Sequence, residues 1–303
     1  MLELLSGNQK FTYSVRKKLI NNMVKDYKFL SLGLIGKSWC GRPIEFIHLG
    51  NKENLNLWVA SHHGMEWLTS LVVLKFLKNV CEKIKHNRKA CGIDLKKCFE
   101  KQGLTVIPCL NPDGVEISLL GSQGAGRYAS FVEKVSRGNT SRWQANARGV
   151  DLNHNYDAGW KELHAMEREK GILGPGPTRY GGNRPQSELE TLALTSFCKK
   201  NNFNSAIAFH SQGEEIYWDY GKNTPKESEN IANIMALASS YTVSKPEGLA
   251  VGGGFKDWFI KEFKKPAFTV EIGKGKNPLP ASDLNSVYDK IEKMLYISSI
   301  MQV

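Results

Sequence analysis

No charged leader followed by a sustained apolar run opens the chain. Its first residues, MLELLSGNQKFTYSVRKKL, read as neither an export signal nor a membrane anchor, so a cytoplasmic protein with no membrane partner is expected. Cysteine is scarce. The six present (Cys40, Cys81, Cys91, Cys98, Cys109 and Cys198) never fall in C-x-x-C spacing, and in a domain of this size they fit reduced thiols better than a disulfide frame. No Pro/Gly/Ser linker, internal repeat or low-complexity tract divides the sequence, so residues 1–303 are expected to form one domain. Missing too is any nucleic-acid-binding motif that would employ the basic charge.

What the chain does have is apolar content for a large core, with 41% of its 303 residues hydrophobic. Its formal charge of +11 sets up a field that concentrates anionic ligands. Part of that charge lies in amphipathic stretches such as Lys75 to Lys101, where lysines alternate with apolar residues as on a solvated helical face. Short apolar runs alternate with amphipathic segments over most of the length, which predicts an α/β domain with a mixed, twisted sheet and helices on both faces.

In detail, a helix is expected over residues 12–30, strands over Ile44 to Gly50 and Leu55 to Ala60 around a turn at Asn51 to Asn54, and a helix from Leu68 to Val80. A buried strand from Leu104 to Cys109 runs into Asn111-Pro112-Asp113-Gly114, a turn signal. Gly121 to Gly149 and residues 159–186 read as loops, and Ser187 reads as a helix start with Glu190 completing a capping box. Ser205 to Phe209 and Ala267 to Ile272 have the look of central strands, and Asp283 to Ile300 of a closing helix.

Several groups suited to metal or acid/base chemistry stand where those strands end. His63 and Glu66 follow the strand Leu55 to Ala60 in H-G-M-E-W. A histidine and a carboxylate so spaced converge on one ion if the chain turns after the strand, and a nitrogen-plus-carboxylate set suits zinc. By itself such a pair arises often by chance. His210 comes directly after Ser205 to Phe209, and Glu271 ends the otherwise apolar PAFTVEIG, where a carboxylate is costly without a partner or a task. Alone, His210 would be a satisfied structural histidine and Glu271 one half of an ion pair.

Taken in order, these segments resemble the M14 zinc carboxypeptidases over nearly the whole chain. The likeness runs from Ile35-Gly36-Lys37-Ser38 and Gly41-Arg42-Pro43 through HGMEW, the NPDG segment and Arg148-Gly149-Val150-Asp151-Leu152-Asn153, then His210, Gly252-Gly253 with Asp257-Trp258, and Glu271. The resemblance implies one zinc ion held by His63, Glu66 and His210, with His62 as a neighbour, and Glu271 as the catalytic carboxylate. It also implies an arginine before GVDLN to stabilise the oxyanion; Arg148 is the first choice and Arg142 the second. Asp151 is a supporting group whose histidine partner the sequence leaves open.

Three features concern the substrate. Asn153-His154 stands where the digestive members of the family carry an Asn-Arg pair that grips the substrate carboxylate, and histidine lacks the bidentate fork of a guanidinium. Counting back from Glu271, Leu249 holds the place of the family's capping tyrosine, and Lys256 the specificity position, where a lysine favours an anionic side chain. HSQGEEIYW around His210, His154 and the ending TVEIGKGKNPLP are most similar to the bacterial γ-D-glutamyl-meso-diaminopimelate peptidases. That likeness implies murein-derived peptides as substrates. The competing expectations are a zinc amidohydrolase of aspartoacylase or desuccinylase type, a general metallocarboxypeptidase acting on C-terminal residues, and a silent binding protein, the last disfavoured by the completeness of the set.

Overall fold

The computed structural model describes residues 10–302; residues 1–9 of the opening segment read for an export signal lie outside them. Among the described residues the helices are α1 (Tyr13–Asp26), α2 (Leu68–Lys85), α3 (Leu95–Lys101), α4 (Pro112–Leu120), α5 (Ala129–Ser136), α6 (Trp160–Glu169), α7 (Leu189–Lys200), α8 (Ser228–Ser239), α9 (Phe255–Phe263) and α10 (Leu284–Ser299). The strands are β1 (Leu30–Lys37), β2 (Pro43–Gly50), β3 (Leu55–Ala60), β4 (Gly103–Ile107), β5 (Phe203–His210), β6 (Glu215–Tyr217), β7 (Thr242–Ser244) and β8 (Ala267–Glu271). They form one sheet in the order β1-β2-β4-β3-β5-β8-β6-β7. Its centre, β4, β3, β5 and β8, is parallel, and β2 and β6 join it antiparallel from either side.

Alternation within the central strands distributes the core between two faces. Trp58, Ile207, Phe209, Phe268 and Val270 point to one face and pack with α2, α8 and α10. Leu57, Val59, Ala206, Ala208 and Ala267 point to the other. There the small alanines leave room for the aromatic face of α9, whose Phe255, Trp258 and Phe259 are buried. Helices thus cover both faces of a mixed sheet, as the alternation of segments implied. Among the described residues no helix is long and apolar enough to cross a membrane, and all six cysteines are free thiols.

Several local expectations give way to tertiary structure. The first helix stops at Asp26 because Tyr27 leaves it extended and buries its ring, and Leu30 already begins an edge strand. NPDG opens α4 rather than making a turn: Asn111 caps it by accepting from Gly114 N (2.8 Å), with Pro112 in the first helical position, where its missing N–H costs nothing. The Gly-rich stretch 121–149 contains α5, organised on a small core of Ile117, Ala125, Val132 and Trp143. Residues 159–186 contain α6, which buries Leu163 and Glu167. Ser187 does not cap α7. Its hydroxyl donates to Glu188 (2.8 Å), while Asn155 accepts the Glu188 N–H (3.2 Å) and Asn146 donates to buried Glu190 (3.3 Å), so distant amides replace the local box.

Candidate metal centre and its cavity

The chain leaves β3 through Ser61, whose φ of 51° turns it sharply and whose N–H is taken by Thr69 Oγ1 (2.9 Å). Asn111 then donates to the His62 carbonyl (2.9 Å), and Gly64 N donates to the Gln144 carbonyl (2.9 Å). A Cβ on Gly64 would stand 2.2 Å from the Gly114 carbonyl oxygen, and one on Gly114 would stand 2.5 Å from the Ala145 carbonyl oxygen, so the glycines of H-G-M-E and N-P-D-G are each required by close backbone approach. The short helical turn Gly64–Glu66 brings Glu66 beneath His63. Behind it, Arg42 donates to Asp113 (2.6 Å), which also accepts from Ser38 Oγ (2.8 Å) and Cys40 N (2.9 Å). The other two groups come from the neighbouring parallel strands β5 and β8, where His210 and Glu271 are paired in register.

His63 Nδ1 lies 2.8 Å from Glu66 Oε1, His210 Nδ1 lies 3.0 Å from Glu66 Oε2, and the two Nδ1 atoms are 3.3 Å apart. Donors around a four-coordinate zinc with bonds of about 2.0–2.1 Å stand roughly 3.3 Å from one another, so this set is gathered at the spacing of metal ligands. Asp151 resolves the tautomer of His63. It accepts from Nε2 (3.1 Å), which leaves the Nδ1 lone pair for a metal. Burial alone would lower the His63 pKa, but Glu66 and then Asp151 outweigh it and hold the imidazolium well above the ordinary range. The Nδ1 proton is the charge that a bound metal displaces. Glu66, against its own burial, is drawn down to about 2 by His63 and His210, and Asp151 is likewise held well below the carboxylate range, chiefly by His63 and His154.

Glu271 is different. Burial first, then the Glu66 carboxylate, push its pKa well above the ordinary value, with His63 offsetting only part. This carboxyl lines the same cavity as the ligand cluster, where it is placed to exchange a proton with a group bound there. His62 is fully buried, stacks on His210 (5.2 Å between centroids), and approaches the Tyr156 hydroxyl through Nε2 (3.2 Å). Burial, then His210 and His63, lower its pKa well below the ordinary value, so it forms a neutral wall.

The cluster opens into a cavity of about 460 Å³ lined also by Asn153, His154, Leu249, Lys256 and Thr269. Two of the arginines and one lysine expected there need correction. Arg148 stacks on Trp39 (4.4 Å to the ring centroid) and lies 3.7 Å from Glu188, outside the cavity, because Asn146 Oδ1 takes the N–H groups of Arg148 and Val150 (2.9 and 3.2 Å) and turns the side chain outward. Arg142 is exposed and does not line the cavity either. Lys256 does line it, but its ammonium is bound by Asp257 and by the Asp219 carbonyl (2.6 Å), so it presents no unmatched charge. Asn153 accepts from Phe255 N (3.0 Å), and His154 Nδ1 donates to buried Glu167 (2.8 Å).

Sequence reasoning missed Arg179, Gln144 and Tyr217, which all line the cavity. Arg179 comes from the Gly/Pro-rich loop after α6, a kind of segment that often carries function. Tyr217, on β6, brings a phenol that Leu249 does not; its hydroxyl donates to Glu215 (2.6 Å).

Residues 17–291 match the sequence profile of peptidase family M14, described as zinc carboxypeptidase. A γ-D-glutamyl-L-diamino acid endopeptidase of Lysinibacillus sphaericus is 32% identical over 290 residues, covering 95% of this chain and 72% of that protein. Among solved structures, bovine thrombin-activatable fibrinolysis inhibitor is similar with a TM-score of 0.74 at 20% identity, over 96% of each chain. The murein-tripeptide amidase of Escherichia coli O157 is similar with a TM-score of 0.54 at 20% identity, over 89% of this chain and 92% of that one. These two share the fold.

Proposed function

The chain belongs to the zinc carboxypeptidase family, a zinc metallopeptidase family, and from that premise we propose that it hydrolyses the γ-D-glutamyl–meso-diaminopimelate bond of murein-derived peptides. The observation that carries the reading is the convergence of His63 Nδ1, Glu66 and His210 Nδ1 at ligand spacing beside Glu271. His63, Glu66 and His210 would hold one zinc ion, which when bound supplies Lewis-acid polarisation of a carbonyl and acidifies water. Glu271 takes the proton of the attacking water and returns it to the leaving amine, a transfer its raised pKa favours. Asp151 keeps the His63 ring in register by accepting from Nε2. Around the site, Asn153 and His154 line the cavity that receives the substrate.

The similarity to a γ-D-glutamyl-L-diamino acid endopeptidase over 95% of this chain supports the substrate class. The formal charge of +11 supports it as well, since both residues flanking that bond carry free carboxylates. The test is direct. Purified protein is given L-Ala-γ-D-Glu-meso-diaminopimelate and its lysine analogue, with products read by mass spectrometry before and after chelation and zinc repletion. Cleavage between glutamate and the diamino acid, lost on chelation and restored by zinc, is expected together with one zinc per chain. Full activity in metal-free protein, or cleavage only of N-acyl amino acids, would overturn the reading.

A further inference from the structure

Five cationic or ionisable nitrogen side chains line the cavity: His63, His154, Arg179, His210 and Lys256. Four of them already face acids. His63 is held by Glu66 and Asp151, His210 by Glu66, His154 by Glu167 and Lys256 by Asp257. Of these five, only the guanidinium of Arg179 has neither an ion pair nor a hydrogen bond to another described residue. An anionic substrate entering this cavity therefore meets one uncommitted positive charge, and it is neither the lysine nor the histidine that sequence position points to.

The placement of Arg179 is built into the site. Its φ of 65° lies in the left-handed region, an unfavourable conformation for a residue with a Cβ and one that persists only where surroundings impose it. Those surroundings are specific. Arg179 N donates to Asp151 Oδ2 (3.0 Å), and Asp151 N donates back to the Tyr180 carbonyl (2.8 Å). One turn of chain away, the Pro177 carbonyl accepts from Gln144 N (2.9 Å) and Ala145 N (3.1 Å). The two oxygens of Asp151 thus hold the His63 ring and the Arg179 backbone at once, which fixes the arginine relative to the catalytic centre. Thr178 donates to the Gln144 side-chain carbonyl, so the Gln144 NH₂ remains as a second donor in the cavity.

We propose that Arg179 is the specificity-determining residue that binds a substrate carboxylate next to the scissile bond. This rests on the reading of the chain as a γ-D-glutamyl–diamino acid peptidase. A planar guanidinium engages a carboxylate through two parallel hydrogen bonds, which a histidine committed to Glu167 cannot do. Two carboxylates have that chemistry: the α-carboxylate of the γ-linked glutamyl residue on the acyl side, and the α-carboxylate of the diamino acid on the leaving side.

The experiment compares three peptides: the parent, its glutamyl α-amide and its C-terminal amide. Each is assayed with wild type, Arg179→Gln and Arg179→Lys at matched zinc loading. Wild type is expected to prefer the parent over one of the amides by about ten- to a hundredfold in kcat/KM, the size of a charge-assisted contact. In Arg179→Gln that ratio should collapse towards unity, mainly through KM, with Arg179→Lys in between. Whichever amide shows the collapse identifies the carboxylate. If both ratios survive in Arg179→Gln, the proposal is wrong. If wild type cuts none of the peptides, the functional reading falls, and calorimetric titration with succinate decides Arg179 independently: affinity at least tenfold weaker in Arg179→Gln upholds the role, and equal affinity overturns it.

Discussion

Replacing Asp151 by asparagine tests the link between ligand geometry and fold with hardly any change in volume. In the native site Oδ1 accepts from His63 Nε2 (3.1 Å) and Asn153 N (3.1 Å), while Oδ2 accepts from Arg179 N (3.0 Å). All the groups around this carboxylate are donors. An amide in its place must turn its NH₂ towards one side or the other, so either His63 or Arg179 loses its acceptor and faces another donor. If His63 loses, its ring is no longer held with Nδ1 towards the cluster, and loss of such an outer partner costs about ten- to a hundredfold in metal affinity. If Arg179 loses, its partly buried N–H goes unpaired at a cost of about 1 kcal/mol, or a few degrees in Tm. The assay is competition for zinc against a chelating dye, with thermal unfolding of the metal-free protein alongside. A zinc affinity within twofold of wild type together with an unchanged Tm would refute the argument that this carboxylate spans both groups.

Three further outcomes follow from the geometry. Glu271→Gln should bind one zinc with wild-type affinity but turn over about 10²- to 10⁴-fold more slowly; equal loss of metal would show that it acts as a ligand. Lys256→Met should leave the preference for diaminopimelate over lysine unchanged while destabilising the fold by about 3–5 kcal/mol, because buried Asp257 loses its cation; a collapsed preference would mean the ammonium reaches substrate. Glu190→Gln should separate from wild type with pH. Burial, with Asp113 and Glu188 nearby, pushes the Glu190 pKa up to about 8, so between roughly pH 4.5 and 8 the native state keeps a proton that the unfolded chain releases, and wild-type stability falls as pH rises through that window. The Tm advantage of Glu190→Gln should therefore be larger at pH 8 than at pH 5, by at most about 4 kcal/mol in free energy, and an advantage independent of pH would contradict a raised pKa.

How far the site could be read from sequence depended on whether each group's position is set by its own strand. His63, Glu66, His210 and Glu271 were legible because β3, β5 and β8 are buried on both faces and stand out as short apolar runs, and whatever follows such a strand in a parallel sheet faces the crevice at its carboxyl end. The accompanying motifs were legible for a related reason: Gly64 against Gly114, and Gly252 N on Asp257 (2.8 Å), are contacts that admit few other residues. By contrast, β1 was not read as a strand, because an edge strand with a single buried position, Leu30–Lys37, carries little hydrophobic periodicity.

The arginine failed for a deeper reason. Arg148 is near the site in sequence but is turned away by the Asn146 side chain, whereas Arg179 is brought in by hydrogen bonds from Asp151, Gln144 and Ala145 to a loop with no periodic signal at all. Lys256 shows the same limit from the other side: its place in the cavity wall was foreseeable from spacing, but the state of its charge depends on Asp257 and on a carbonyl from the distant Asp219. Strand ends carry the chemistry of this site, and pairing between distant loops decides which charges remain for the substrate. A charge placed by alignment therefore has to be checked for a partner before it is assigned to recognition.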